Sequence, residues 1–196
     1  MATTLKTNIQ SGYLTGSLLI ATPHINESTF SHSVILICSH DADGAMGIMI
    51  NHIIENISYK NLFDEFKIES EVAIEDLQVH YGGPLEINRG FVIFNFEGAT
   101  PPPDCLVAFD NTAISSSVSI LQDIAVGKTQ TEVLLALGYA GWAGGQLENE
   151  IAQNSWISVP ATTDLIFKTS NAEKWKKAGM SQGIDIHKLT GSVGHA

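Results

Sequence analysis

Positive charge is scarce in this chain: Arg89 is its only arginine, and 10 Lys and Arg stand against 21 Asp and Glu, a formal net charge of −11. Nucleic-acid binders cluster Lys and Arg to displace phosphate counterions. Here the one basic concentration, Lys174, Lys176 and Lys177 beside Glu173, reads as the wet face of a helix. Direct binding to DNA or RNA is therefore not expected. Cysteine is scarce too. Cys38 lies in an apolar run and Cys105 follows a proline cluster, with no CxxC spacing, so two reduced thiols are expected, one of them buried. No apolar run nears the roughly 20 residues that a membrane-spanning helix needs. The start, Met1-Ala2-Thr3-Thr4-Leu5-Lys6, lacks the basic end, apolar stretch and cleavage site of a signal peptide. These absences point to the cytoplasm.

Signatures of cofactor and covalent chemistry are missing as well. Gly127-Lys128-Thr129 resembles the end of a phosphate-binding loop, but Gln122 stands where that loop needs its first glycine. The glycine run at 138–145 does not fit the dinucleotide pattern. Asp41-Ala42-Asp43-Gly44 lacks the remaining ligands of a calcium loop. His32 and His40 flank one strand and would sit roughly 26 Å apart at the strand rise, too far to share an ion. No HxH, HExxH or Cys/His metal spacing occurs, and no Gly-x-Ser-x-Gly elbow. The carboxylate pairs Glu148/Glu150 and Asp64/Glu65 fall on helix-like segments and read as solvated. No metal and no cofactor are expected.

What is present is a globular pattern: 196 residues, 44% hydrophobic, enough for one domain with a substantial core. Strands are expected over Ser17–Ala21, Ser33–His40 and Ala45–Ile50, the last two joined in a hairpin at His40–Gly44. Val79–Tyr81, Phe91–Phe94, Glu132–Leu137 and Trp156–Val159 are further strands. Ser58 would cap a short helix whose apolar face carries Leu62, Phe63 and Phe66. Helices are also expected over Ser119–Ala125, Leu147–Ala152 and Ala172–Ala178, and Ser115-Ser116-Ser117 would cap the first of these. Thr100-Pro101-Pro102-Pro103-Asp104 is a stiff loop, with a lobe boundary near 99–105 as one reading of it. Strands and helices mix without a βαβ rhythm, so the fold class is α/β or α+β with a mixed sheet, in a single domain over 1–196.

Three stretches could shape a site. Pro23–Phe30, holding His24 and Glu27, is a polar loop between strands, where sites often lie and where turns also satisfy their own backbone. Gly82–Gly90 holds Arg89 near Glu86, an anion receptor or, more in keeping with such pairs, an ion pair that fixes a loop. Gly138–Glu148, with four glycines, Tyr139, Trp142 and Gln146, reads as a loop ahead of a helix. Its glycines admit close approach of backbone or ligand, and the helix start beyond them would suit an anion. Trp142 and Trp156 are equally suited to anchoring a core.

Taken in order, Thr22-Pro23-His24, Gly44-Ala45-Met46-Gly47 through Asn51, Gly82-Gly83-Pro84 with Arg89-Gly90-Phe91, Leu137-Gly138-Tyr139-Ala140-Gly141-Trp142 with Gly145-Gln146-Leu147-Glu148, Trp156 and the closing Gly194-His195-Ala196 resemble the AlgH/YqgE family of bacterial proteins. The resemblance implies a mixed, bifurcated β-sheet curled into a pseudo-barrel with packed helices. It also implies a cytosolic bacterial protein without a settled activity, carrying a label as a regulator of transcription. No helix-turn-helix or basic recognition helix is evident, so such regulation would be indirect. Where the family pattern tends toward Arg-Pro after Asn51, this chain has His52-Ile53, which leaves Arg89 as the sole guanidinium.

The expectation for function is a binding or regulatory protein that recognises a small ligand or a protein partner. His24, Glu27, Asn51, Arg89, Tyr139, Trp142 and Gln146 would converge on one cleft. The rival expectation is a small-anion hydrolase or transferase with His24 as general base and Arg89 as clamp, oriented by Glu27 or Glu86.

Overall fold

The computed structural model describes residues 12–25, 27–73, 77–96, 100–128, 132–181 and 183. Asn26, residues 97–99, Thr129 and the closing Gly194-His195-Ala196 lie outside them. One branched, mostly antiparallel sheet of 10 strands carries the molecule. Its first part is β1 (Ser17–Ala21), β2 (Val34–Asp41) and β3 (Gly44–Met49), with β2 and β3 in the expected hairpin. β4 (Ile53–Ser58) and β5 (Gln78–Tyr81) form a side branch. β6 (Leu85–Asn95), β7 (Leu106–Phe109) and β8 (Thr112–Ser115) form the far part, and β10 (Trp156–Pro160) closes the near edge beside β1.

The strand that joins these parts is β9, Val133–Ala143, and it runs straight through the glycine stretch. The expected loop from Tyr139 to Gln146 is therefore corrected: Tyr139 to Ala143 are strand, and only Gly144 and Gly145 turn the chain. On one edge β9 pairs first with β5 in parallel, then with β3 antiparallel; on its other edge it pairs with β6. The branch falls at Gly138, and it makes the sheet mixed.

Side-chain alternation shows how the sheet curls. Leu18, Ile20, Leu36 and Ile48 from the near part share one cluster with Phe91, Ile93, Leu134 and Ala136 from the far part. Both parts thus turn the same face inward. β7 approaches the near part, and a Cβ placed on Gly16 would lie 2.5 Å from the Ala108 carbonyl oxygen. No ladder joins β7 to β10 among the described residues, so the sheet is curled but does not close into a barrel.

Helices cover the remaining apolar faces. α1 (Tyr59–Glu65) starts in a capping box in which Ser58 and Asn61 satisfy each other's backbone, and α2 (Val118–Ala125) is capped by Ser117. Together they cover Val92, Phe94 and Leu135 on the outer face of the far part. α3 (Gln146–Ala152) sits over Ile35, Ile37 and Met49 on the outer face of the near part. α4 (Asn171–Met180) places Trp175 and Ala178 in the inner cluster, after a π-helical turn at Asp164–Lys168. The three-proline loop connects β6 to β7, and β6 pairs with β8 across it. No helix among the described residues is long and apolar enough to cross a membrane.

α4 also corrects the reading of its lysines. Lys176 and Lys177 face water, but Lys174 is 3% exposed and donates to the Ile50 carbonyl and to Asn171 Oδ1, each at 2.8 Å. A long aliphatic stem lets lysine lie along a core, and here the ammonium meets oxygens instead of solvent.

Candidate functional site

Gly138 decides where the neighbouring side chains go. Leu134 and Ala136 point inward and Leu135 outward; beyond Gly138, whose φ is +75°, Tyr139 points inward while Ala140 and Trp142 point outward. The left-handed residue shifts the alternation by one, as a glycine bulge does. Tyr139 and Trp142 therefore stand on opposite faces of β9.

On the inner side Tyr139 meets Arg89. The Glu86 carboxylate accepts from Arg89 Nη1 at 3.1 Å and from the Tyr139 hydroxyl at 3.2 Å. The guanidinium stands 5.2 Å from the centre of the Phe91 ring. The loop-fixing ion pair is what the structure shows, and an incoming anion would have to displace Glu86. On the outer side Glu150 Oε2 accepts both the Trp142 and Trp156 indole N–H groups, at 2.9 and 2.7 Å. Gln146 donates to Glu150 Oε1 at 2.9 Å and accepts from the Ala143 N–H at 3.0 Å. The two indoles pack edge to face, 6.0 Å apart. The reading of Glu148 and Glu150 as merely solvated is thus corrected: Glu150 organises the tryptophans, and Glu148 accepts from buried His40 Nε2 at 3.0 Å. His40 Nδ1 takes the Leu14 N–H, which fixes its tautomer. With Glu148 in its first turn, α3 begins on a carboxylate.

The other two expected site segments make contacts of their own. Asn51 accepts from the Val34 N–H at 2.7 Å and donates to the His32 carbonyl at 2.9 Å, tying the end of the hairpin to the start of β2. His24 is exposed, its Nδ1 3.4 Å from the Thr22 hydroxyl, and Thr22 in turn donates to the Asn154 carbonyl at 2.6 Å. Glu27 is exposed and leads into a 3₁₀ turn at Ser28–Phe30. So the structure brings Arg89 together with Tyr139 and Trp142 with Gln146. Among the described residues no hydrogen bond, ion pair or ring contact joins these pairs to each other, to Asn51, or to His24 and Glu27. No group of three His, Cys, Asp or Glu able to hold a metal ion occurs among the described residues. Cys38 is buried and Cys105 half-buried, both as free thiols, and burial pushes the Cys38 thiol far up.

Two features were not anticipated from sequence. One is a buried polar network. His80 sets Nδ1 against the Leu135 carbonyl at 3.3 Å and Nε2 against Asn171 Oδ1 at 3.2 Å, and Asn171 also receives Lys174. Burial, then the Lys174 charge, hold the His80 imidazole down to about 4, and burial brings the Lys174 ammonium down to about 8.

The other is a groove of about 370 Å³ between α1 and α2, floored by β6 and β9. Leu62, Phe66, Val92, Leu121 and Leu137 give it apolar walls, with Asn61, Glu65, Asn88, Ser116 and Ser117 along it. Asn61 and Ser117 are engaged as caps, whereas the side chains of Glu65, Asn88 and Ser116 make no hydrogen bond among the described residues. The signal lay in the apolar face of α1: Phe66, expected to pack, is 47% exposed at the groove.

A sequence model of the AlgH-like family matches residues 18–187. The chain belongs to the AlgH-like family. A UPF0301 protein of Rhodospirillum rubrum is 39% identical to it over 189 residues, covering 94% of this chain and 95% of that one. The UPF0301 protein YqgE of Escherichia coli is 38% identical over 185 residues, covering 91% and 96%. The solution structure of the AlgH protein from Pseudomonas aeruginosa superposes over the full length of both chains, with a TM-score of 0.74 and 30% identity. A crystal structure of a Corynebacterium diphtheriae protein shares the fold with a TM-score of 0.72 at 20% identity, covering 88% and 89%. The family carries no established activity. The AlgH-like residues that drew attention, Gly82, Gly83, Gly138 and Trp142, all serve packing in this chain.

Proposed function

We propose that this AlgH-like protein is a cytosolic binding protein, without covalent catalysis, that takes up a small ligand in the groove between α1 and α2. The observation that carries the reading is the groove itself. Its volume of about 370 Å³ suits a small molecule, its walls are apolar, and Asn88 and Ser116 offer uncommitted polar groups to orient a guest. The alternative chemistry is less well supported. Among the described residues the His24 ring meets the Thr22 hydroxyl and no carboxylate, and Arg89 is engaged by Glu86, so neither base nor clamp is poised on a common substrate. Regulation would then be indirect: occupancy of the groove would fix α1 and α2 against the sheet and change the surface offered to a protein partner. With a net charge of −11, direct nucleic-acid binding is not part of the proposal.

The test is native mass spectrometry of the protein purified from its own host, beside a Val118→Trp variant. Val118 lines the groove and is 39% exposed, so the larger ring fills space without entering the core. A small molecule bound to the parent and lost from the variant supports the reading. A ligand retained equally by both, or lost on His24→Ala or Arg89→Ala instead, overturns it.

A further inference from the structure

The groove has a polarity of its own. Its lining contains one ionised group, the Glu65 carboxylate, and no lysine, arginine or histidine. The carboxylate beside it, Asp64, is held by Lys60 at 2.7 Å, whereas Glu65 has no cationic partner among the described residues. Phe66 follows Glu65 and also lines the groove with nearly half of its surface exposed. An unneutralised carboxylate next to an exposed aromatic ring is the pair of features that receives an organic cation: one supplies the counter-charge, the other a π face. The opposite wall and floor, from Val92, Leu121 and Leu137, are apolar and suit a hydrocarbon body.

We infer that the ligand of this groove is a small amphipathic cation, an alkyl amine in chemical class, with its ammonium at Glu65 and Phe66 and its chain against Val92, Leu121 and Leu137. The inference rests on the groove being the binding site, and it reverses the charge preference expected of a site built on Arg89. An anionic amphiphile of the same length would set its carboxylate against Glu65, inside a protein that already carries excess negative charge.

Three probes of one chain length separate the terms: octylammonium, octanol and octanoate, each titrated calorimetrically below its aggregation concentration. Octylammonium should bind about five- to tenfold more tightly than octanol, the sum of one partly exposed ion pair and one cation–π contact. Octanoate should bind more weakly than octanol. In Glu65→Gln the advantage of octylammonium should fall to about two- to threefold, the low end of what a cation–π contact alone supplies, with octanol affinity kept. Val118→Trp should weaken octylammonium and octanol alike, and Ser116→Trp gives a second, independent block of the same space. Equal binding of octylammonium and octanol, still lost on blocking, would overturn the cation preference while leaving the groove as the site. Octylammonium binding that Val118→Trp and Ser116→Trp both leave intact would overturn the groove reading along with it.

Discussion

Gly83 lies against the backbone of Tyr139 so closely that a Cβ on Gly83 would overlap the Tyr139 carbonyl group. The contact has a topological cause. Residues 79–81 pair with one edge of β9 and residues 85–94 with the other, so the chain must cross β9 between them. It crosses at Gly82-Gly83-Pro84, over Gly138 and Tyr139. Two segments of backbone come that close only where no Cβ points into the contact, which Gly82, Gly83 and Gly138 ensure.

Substitutions at the crossing should therefore be among the most damaging in the protein. Gly83→Ala and Gly138→Ala each force backbone apart, and the new residue must also hold φ at +152° and +75° respectively. A loss of about 3 kcal/mol or more is expected for each. Gly145→Ala, with the same φ but open space around it, should cost about 1 kcal/mol. Gly90→Ala has room and ordinary backbone and should stay within about 0.5 kcal/mol. Urea unfolding of the four variants checks the order.

Glu150 holds two buried indoles with one oxygen, so Glu150→Ala should cost about 2–4 kcal/mol. Glu150→Gln keeps an acceptor and should cost clearly less. Near-ultraviolet circular dichroism should report the altered Trp142–Trp156 pair in the alanine variant, and urea unfolding the stability difference.

The buried network sets a dependence on pH. Folding holds His80 to about 4 against its ordinary value of 6.5, so the unfolded chain takes the proton first, and this stability is lost as pH falls from about 6.5 to 4. Lys174, held to about 8 against 10.5, loses its proton first in the folded chain. Its contribution therefore rises as pH climbs from about 8 to about 10.5. Lys174→Met should flatten the alkaline rise and, by removing a neighbouring charge, weaken the acid loss from His80. Unfolding free energy from pH 4 to 10.5 in parent and variant measures both.

Arg89 and Glu86 are each half exposed, which limits the worth of their pair. Arg89→Ala should cost about 1 kcal/mol or less in thermal or chemical unfolding, and His24→Ala less than that.

Much of this was legible in the chain, and the exceptions share a cause. β1 to β3 carry continuous apolar runs, and Ser58 and Ser117 stand where capping serines belong, so local chemistry alone predicts those elements. β4 reads Ile-Ile-Glu-Asn-Ile-Ser, and β7 and β8 span four residues each, too polar or too short to show a period. The glycine run reads as a loop because glycine density is the ordinary signature of one. Only the crossing segment, 55 residues upstream at Gly83 of Gly138 (138 − 83), gives those glycines a place inside a strand. Lys174 is hidden for the same reason, since its acceptor, the Ile50 carbonyl, is 124 residues away. Gly83, Gly138 and Trp142 stand out in the sequence and pack in the structure, whereas the groove is lined by common residues brought together from five separate strands and helices, β4, β6, β9, α1 and α2, and no local pattern marks it.

Titration of octylammonium into the parent protein and into Val118→Trp is the most direct measurement of where this protein binds. Saturable binding to the parent that the variant weakens at least tenfold, with His24→Ala and Arg89→Ala indistinguishable from the parent, is the predicted result. Binding untouched by Val118→Trp but abolished by Arg89→Ala or His24→Ala would contradict the account.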